Sequence, residues 1–408
     1  MKTVVTILII FVTASGAFSQ DGNKENDNES FFDSFGLEGY GTINYFNFDW
    51  DTNPDKRNAV DLERFVLYPE YQFNDKLKVR GEIEFEHGGT GVTKEFDVFE
   101  EFGEFETEVE AGGEVLVEQL YVAYKINDAL NFKLGAFKLP IGIQAIHDEP
   151  NEYFTTIRSP AEADIIPTNW YEMGVQVHGA VGAIDYTFSI VNGLDATGFS
   201  SANWIQRGNQ GRFEMNNAEN FAYTLRVDYN ISDQIEIGTS GYIGNTADNR
   251  PKPDFNTNAY VALTEGHFIF NNGPLKANLF GLFGNLQNSD LVSAANRNLS
   301  NNLNVKRTPV AKQAVSWYGE IGYDISTVTK INVPLFVFGR YEFYDSMFDV
   351  VEGAVSDNAR WERNAVTAGL NLFLHEKVVL KSQFTHRWLG FSSNNIENTF
   401  STGLGFQF

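Results

Sequence analysis

The chain has 408 residues, including 36 Phe, 17 Tyr and no Cys, and its formal net charge is -24 at pH 7. The lack of Cys excludes a disulfide scaffold, thiolate metal sites and a lipidated amino-terminal cysteine. The negative charge argues against nucleic acid as a partner, because binding phosphates needs clustered Lys and Arg.

The first residues have the pattern of a secretory signal. Lys2 supplies the positive start, residues 4–12 the apolar stretch, and Ala17-Phe18-Ser19 a small-x-small cleavage site. We therefore expect a signal peptide over residues 1–19 and an acidic periplasmic lead-in over residues 20–35. No later segment reaches the ~20 apolar residues that a transmembrane helix needs, so any membrane insertion would be by strands.

From residue 36 onward, apolar and polar residues alternate with the period of two that is typical of strands. The third predicted strand is the cleanest, with Leu77, Val79, Gly81, Ile83 and Phe85 opposed to Lys78, Arg80, Glu82, Glu84 and Glu86. The last strand sets Phe400, Thr402, Leu404, Phe406 and Phe408 against Ser401, Gly403, Gly405 and Gln407. One apolar and one polar face suit a strand between lipid and a water-filled lumen.

The connections between these strands alternate between short turns and long polar loops. The long loops lie at about residues 49–61, 88–113, 140–169, 194–219, 246–257, 286–312, 345–362 and 389–397. Eight long loops and seven short turns join about sixteen strands. This layout predicts an all-β transmembrane antiparallel barrel over residues 36–408, in the outer membrane of a Gram-negative bacterium. Outer-membrane lipid and lipopolysaccharide would surround it.

Aromatic residues near strand ends are expected to form the interfacial girdles of such a barrel. The candidates are Tyr68, Tyr124, Tyr229, Tyr323 and Trp388.

One stretch resembles a known family. Residues 135–142 read Gly-Ala-Phe-Lys-Leu-Pro-Ile-Gly, and the strand Tyr171-Glu172-Met173-Gly174-Val175 follows the next loop. Together with Leu120 to Ile126 (LYVAYKI) and Ile190 to Gly193 (IVNG), these motifs resemble the phosphate-selective porin O and P family over residues 115–195. The resemblance implies a sixteen-stranded porin, usually a homotrimer, whose third external loop folds into the barrel and narrows the pore.

Loop 140–169 is the third long loop, so it is the expected constriction. With the strand end before it, it offers these candidates: Lys138, His147, Asp148, Glu149, Glu152, Arg158, Glu162 and Asp164. The candidate pore-lining charges on strands are Lys78, Arg80, Glu82, Glu84, Lys125, Lys133, Arg226, Asp228, Arg340, Lys381 and Arg387. An anion pore needs a ring of Lys and Arg. This mixed set, with an acidic loop, leaves phosphate selectivity in doubt, and cations or neutral solutes fit equally well.

The sequence thus predicts passive diffusion of small hydrophilic solutes or ions, with no cofactor, no metal site and no catalysis. Two alternatives remain. A non-conducting adhesin or scaffold would use the acidic external loops, above all the Glu- and Phe-rich residues 95–110, as its binding surface. A barrel hydrolase would need a Ser, a His and an orienting group brought together; the sequence offers only pairs such as Ser382 and His386, which are common by chance.

Overall fold

The structure is a computed structural model that describes residues 34–89, 95–101, 104–108, 113–210, 215–251, 254–299 and 307–408. The expected signal peptide lies outside the described residues, as does the lead-in up to residue 33.

Sixteen strands close into an antiparallel barrel, which confirms the predicted fold class. The strands of the barrel are β1 (Phe35–Trp50), β2 (Ala59–Asn74), β3 (Leu77–Glu86), β6 (Val115–Asn127), β7 (Leu130–Lys138), β8 (Tyr171–Val181), β9 (Ile184–Asn192), β10 (Phe221–Ser232), β11 (Ile235–Asn245), β12 (Tyr260–Asn272), β13 (Leu275–Leu286), β14 (Gln313–Asp324), β15 (Leu335–Asp349), β16 (Glu362–His375), β17 (Val378–Leu389) and β18 (Ile396–Gln407). The remaining two, β4 (Glu95–Glu101) and β5 (Glu104–Glu108), form a separate hairpin between β3 and β6.

The barrel closes where the first strand meets the last, in a register that runs from Tyr40 opposite Gln407 to Trp50 opposite Glu397. Burial follows the predicted alternation: Phe400 is 42% exposed on the outer face, whereas the neighbouring Ser401 is 1% exposed on the inner face. A closed ring leaves no unpaired strand edge, so every strand satisfies its backbone groups through its neighbours. None of the helices in the described ranges is long and apolar enough to cross a membrane.

One girdle prediction is wrong. Tyr68 is 7% exposed and lies inside the barrel, packed against the ring of Tyr40 and under the guanidinium of Arg80. The continuous run Phe65-Val66-Leu67-Tyr68 carries no period of two, so the sequence could not assign its faces. Three other candidates, Tyr124, Tyr229 and Tyr323, are more than a third exposed, as outward-facing rings should be.

The long loops contain more regular structure than the sequence predicts. Loop 88–113 holds the β4–β5 hairpin, and loop 286–312 holds helix α2 (Ser289–Arg297). The short helix α1 (Pro160–Ala163) and the 3-10 helices Ala196–Gly198, Gln206–Gly208, Ile325–Val328 and Ala359–Trp361 complete the helices of the described residues.

External loops on one side of the barrel pack against each other. The indole of Trp204 donates to the carbonyl of Ala311 at 3.2 Å, and Asn296 on α2 donates to the carbonyl of Ala196 at 2.9 Å. Contacts of this kind stabilise α2, since an isolated helix of this length is only marginally stable in water.

Candidate functional site: a loop inside the barrel

Residues 139–170 leave the barrel wall and return to it at one point. The backbone amide of Leu139 donates to the carbonyl of Trp170 at 2.6 Å, directly after β7 and before β8. The turn into the loop is made at Gly142, which has a φ of +89°. A Cβ at this position would lie 2.2 Å from a carboxylate oxygen of Glu162. Both the backbone conformation and the close approach require glycine here.

The far part of the loop is attached to the opposite wall. Thr156 contacts this wall directly. Its backbone amide donates to Gln383 Oε1 at 2.9 Å, and its hydroxyl pairs with Ser401 Oγ at 2.9 Å. Ser159 donates to Glu342 on β15 at 3.2 Å. In the ring of strands, β7 and β15 are separated by seven strands in either direction. The loop therefore crosses the barrel interior.

Asp148 is the centre of a buried ion cluster that joins the loop to the side of the barrel from which the loop starts. One of its carboxylate oxygens lies 2.6 Å from Lys138 Nζ, 3.3 Å from Arg158 Nη2 and 3.9 Å from Arg64 Nη1. Arg64 also pairs with Glu84 and lies 3.7 Å from Glu118. In low dielectric surroundings such pairs interact more strongly than in bulk water.

The second anchor of the loop is Glu162 on α1. Its carboxylate accepts hydrogen bonds from the backbone amide of Gln144 at 3.1 Å and from the hydroxyl of Tyr318 at 2.9 Å. Burial raises the pKa of Glu162 to about 7, since the charged form loses its hydration. The folded loop thus holds this proton more tightly than an unfolded chain would. The stabilisation that protonated Glu162 gives to the folded loop is complete below the ordinary carboxyl pKa and is lost as the pH rises through 7.

The remaining loop candidates are spread along the segment. His147 pairs with Glu152 at 3.2 Å, and that hydrogen bond raises the pKa of His147. Glu149 accepts a hydrogen bond from Gln407, and burial raises the pKa of Glu149. Asp164 lies 3.4 Å from Arg363 on β16. The loop thus contacts the wall through both acidic and neutral groups.

All but one of the pore-lining candidates face the interior, and most of the cations among them have carboxylate partners. The pairs are Lys78 and Arg80 with Glu70, Arg226 with Asp228, Arg340 with Glu320 and Glu342, and Arg387 with Glu397. Glu82 accepts from Gln119, and Glu84 binds Arg64.

The other three candidate lysines are placed differently, and only one of them, Lys125, has a carboxylate partner. Lys381 donates to the loop carbonyls of Tyr153 and Thr155 at 2.7 and 2.8 Å. Lys133 lies over the ring of Tyr121 at 4.9 Å. Lys125 pairs with Asp128 at a short turn, where its side chain is 57% exposed. The last of these lies at the rim of the barrel.

Several residues of the cluster were not found from the sequence. Arg64 and Glu118 belong to the ion cluster around Asp148, and the hydroxyl of Tyr318 donates a hydrogen bond to Glu162. Glu118 directly follows the apolar run Val115-Leu116-Val117, and this carboxylate at the end of an apolar run is the one local signal that could have marked it. A register irregularity between Glu82 and Ile83, opposite this point, breaks the alternation on which face assignment depends.

Asp228, Glu236 and His267 place one ligand atom each within 4.8 Å of one another. A guanidinium already occupies this group: Arg226 Nη2 lies 3.0 Å from His267 Nε2, and Arg226 Nε lies 2.6 Å from Asp228. The positive charge that the two carboxylates need is therefore supplied by Arg226, and we assign no metal to them.

The closed barrel, its polar interior and its internal loop define the architecture of outer-membrane porins. Solved structures with this fold include OprB of Pseudomonas putida (TM-score 0.57, 11% identity, 92% of this chain and 94% of that chain). An anion-selective porin from Comamonas acidovorans gives a TM-score of 0.53 with 12% identity, over 92% and 99% of the two chains. OmpT of Vibrio cholerae, solved in a trimer form, gives 0.51 with 11% identity, over 92% and 99%.

At these identities the similarity shows the fold alone. In sequence, an uncharacterised protein of Aquifex aeolicus (strain VF5) is 27% identical over 354 residues, which cover 85% of this chain and 74% of that protein. No protein-family model matches the chain.

Proposed function

We propose that this chain is an outer-membrane channel through which small hydrophilic solutes and ions diffuse passively. The observation that carries the proposal is the loop 139–170, which is fixed to both sides of a closed barrel and lined with charged and hydroxyl groups. A solute passing through the barrel has to pass this loop, so its side chains control the solute's size and charge.

We further propose that the channel has weak charge selectivity. Strong anion or phosphate selection needs unpaired Lys and Arg side chains along the path. Here Arg158, Arg340 and Arg387 each have a carboxylate within ion-pair distance. The motif of residues 135–142 supports a relationship to the phosphate-selective porin O and P family in architecture, and the paired charges argue against phosphate as the preferred solute.

We also propose that the protein is exported to the outer membrane of a Gram-negative bacterium and assembles there as a homotrimer. The signal-like residues 1–19, the apolar outer face and the trimeric form of OmpT from Vibrio cholerae support these points. Outer-membrane lipid and lipopolysaccharide would contact the outward-facing side chains.

The alternative functions require different structural features. An adhesin or scaffold would use its external loops and need no solute path. A hydrolase would need a nucleophile beside a base, and Ser382 and His386, the candidates from the sequence, do not form such a pair: His386 instead contacts Asn398 at 2.8 Å. We therefore propose a channel in preference to either.

The test is conductance in planar bilayers. The refolded protein is expected to give discrete current steps in KCl. In a tenfold KCl gradient the reversal potential should stay far below the about 59 mV of an ideally selective pore. Replacing KCl by potassium phosphate should lower the current without a saturable phosphate block. Absence of steps in correctly folded protein would contradict the channel, and a reversal potential near the ideal anion value would contradict weak selectivity.

A further inference from the structure

Three aromatic side chains form an unusual row on the inner face of β1. Phe46, Phe48 and Trp50 alternate with outward-facing residues and line the interior together with polar residues of β17 and β18. Phe46 and Phe48 are stacked with centroids 5.8 Å apart, and Phe48 meets Trp50 edge to face at 5.3 Å. The lumen face of a porin strand is normally polar, so a row of large rings there calls for a physical reason.

The row forms one side of a cavity of about 290 Å³ between the wall and the internal loop. This volume is close to the lower end of small-molecule sites, about 300 Å³. The polar part of the lining comes from hydroxyl and amide side chains beside and across from the row: Thr155, Thr156, Thr367, Gln383, Thr385, Thr399 and Ser401. One side of the cavity is therefore aromatic, while the other sides carry hydroxyl and amide groups. Some of these groups bond to one another, as Thr156 does to Ser401 and Thr367 to Thr385, and each hydroxyl pair keeps lone pairs free to accept from a solute.

The charges around the cavity are balanced in pairs. Arg387 binds Glu397 and also donates to the hydroxyl of Tyr344 at 3.1 Å. Arg340 lies 3.0 Å from Glu342, and Arg158 lies 3.3 Å from Asp148. A charged solute would have to compete with these pairs, whereas a neutral solute can share their remaining donors and acceptors.

We propose that this cavity binds a neutral, polyhydroxylated solute of the sugar class on its way through the barrel. A pyranose ring has an apolar C–H face that would stack on the nearly parallel rings of Phe46 and Phe48, with Trp50 against its edge, and hydroxyl groups that would bond to the threonines and to Arg387. The proposal rests on the proposed channel function and names the solute class for it.

The outer end of the aromatic row is covered by a lysine. Lys56 Nζ lies 4.1 Å from the centroid of the Trp50 ring and 4.9 Å from that of Phe48. Lys56 belongs to the loop between β1 and β2, so its long side chain can turn away without disturbing a strand. A sugar that stacks on Trp50 would replace this cation–π contact, which at partly exposed sites is weak.

The experiment measures the block of the KCl current by sugars in planar bilayers. Maltose and glucose are expected to reduce the current in a saturable way. Phe48→Ala and Trp50→Ala should raise the half-blocking concentration about tenfold, the effect of losing a stacking partner. Tyr45→Ala is the matched control, because Tyr45 lies on the same strand but is 36% exposed on the outer face, and it should leave the block unchanged.

Three results would overturn the sugar site. These are equal block by a polyethylene glycol of the same size, a block insensitive to Phe48 and Trp50, or a stronger block by glucose 6-phosphate than by glucose. Calorimetric titration of maltose into detergent-solubilised protein separates this proposal from the channel itself, since binding does not require conduction. Binding without current steps would contradict only the channel, and current steps without binding or block would contradict only the sugar site.

Discussion

Asp148→Asn is expected to destabilise the folded barrel by roughly 3–5 kcal/mol, the usual cost of removing one partner from a buried ion pair. Arg64 retains Glu84, and Arg158 retains Asn169. Lys138, by contrast, loses the carboxylate at 2.6 Å and stays buried. Urea unfolding in lipid vesicles, followed by tryptophan fluorescence, measures the loss.

The same substitution removes a negative charge from between three cations that join the internal loop to the barrel wall. The reversal potential in a KCl gradient should therefore shift towards anions. Lys138→Met combined with Asp148→Asn removes both partners of the shortest contact and should recover part of the lost stability. Asp128→Asn, at an exposed turn, is the control. Unchanged stability and an unchanged reversal potential would show that Asp148 does not hold the loop.

Replacing residues 142–168 by a short Gly-Ser linker is expected to raise single-channel conductance by roughly twofold or more, because the segment crosses the interior. The linker is sterically feasible, since Leu139 and Trp170 are joined by a backbone hydrogen bond of 2.6 Å. The proposed weak charge selectivity should also change, because the carboxylates of the loop are removed with it.

The control for this deletion is the hairpin insertion between β3 and β6. Gly89 and Gly113 approach so closely that a Cβ on Gly113 would lie 1.6 Å from the carbonyl oxygen of Gly89. Residues 90–112 can therefore be removed by joining these two glycines. We expect this variant to keep the parent conductance. If removal of the internal loop also left conductance unchanged, the loop would not limit the path.

The barrel could be predicted from the sequence because period-two alternation and the order of short and long connections are local properties. The predicted strand bounds agree with the structure to within a few residues. For example, β1 begins at Phe35, and its expected start is Gly36. The position of the internal loop came from counting loops and from the motif ending at Gly142. Two glycines of this motif have positive φ angles, Gly135 at +133° and Gly142 at +89°.

The contacts that hold the loop could not be predicted in the same way. Asp148 meets Arg64 and Tyr40 across long stretches of sequence, and nothing local indicates which strand a loop will touch. The aromatic row was missed for a different reason. Near the end of β1, Asn47 and Asp49 face outward while Phe46 and Phe48 face inward, which reverses the usual polarity of the two faces. A pattern that assumes apolar residues face lipid assigns such a segment to the wrong side.

The most direct test of a water-filled barrel is cysteine accessibility, which the absence of native Cys makes simple. Thr399→Cys and Phe400→Cys are neighbours on β18, one lining the internal cavity and the other 42% exposed on the outer face. In protein inserted in bilayers, a charged, water-soluble thiol reagent should modify Thr399→Cys rapidly and reduce its current, and should leave Phe400→Cys unmodified. Equal labelling of both positions, or labelling of Phe400→Cys alone, would contradict a hollow barrel with its apolar face in lipid.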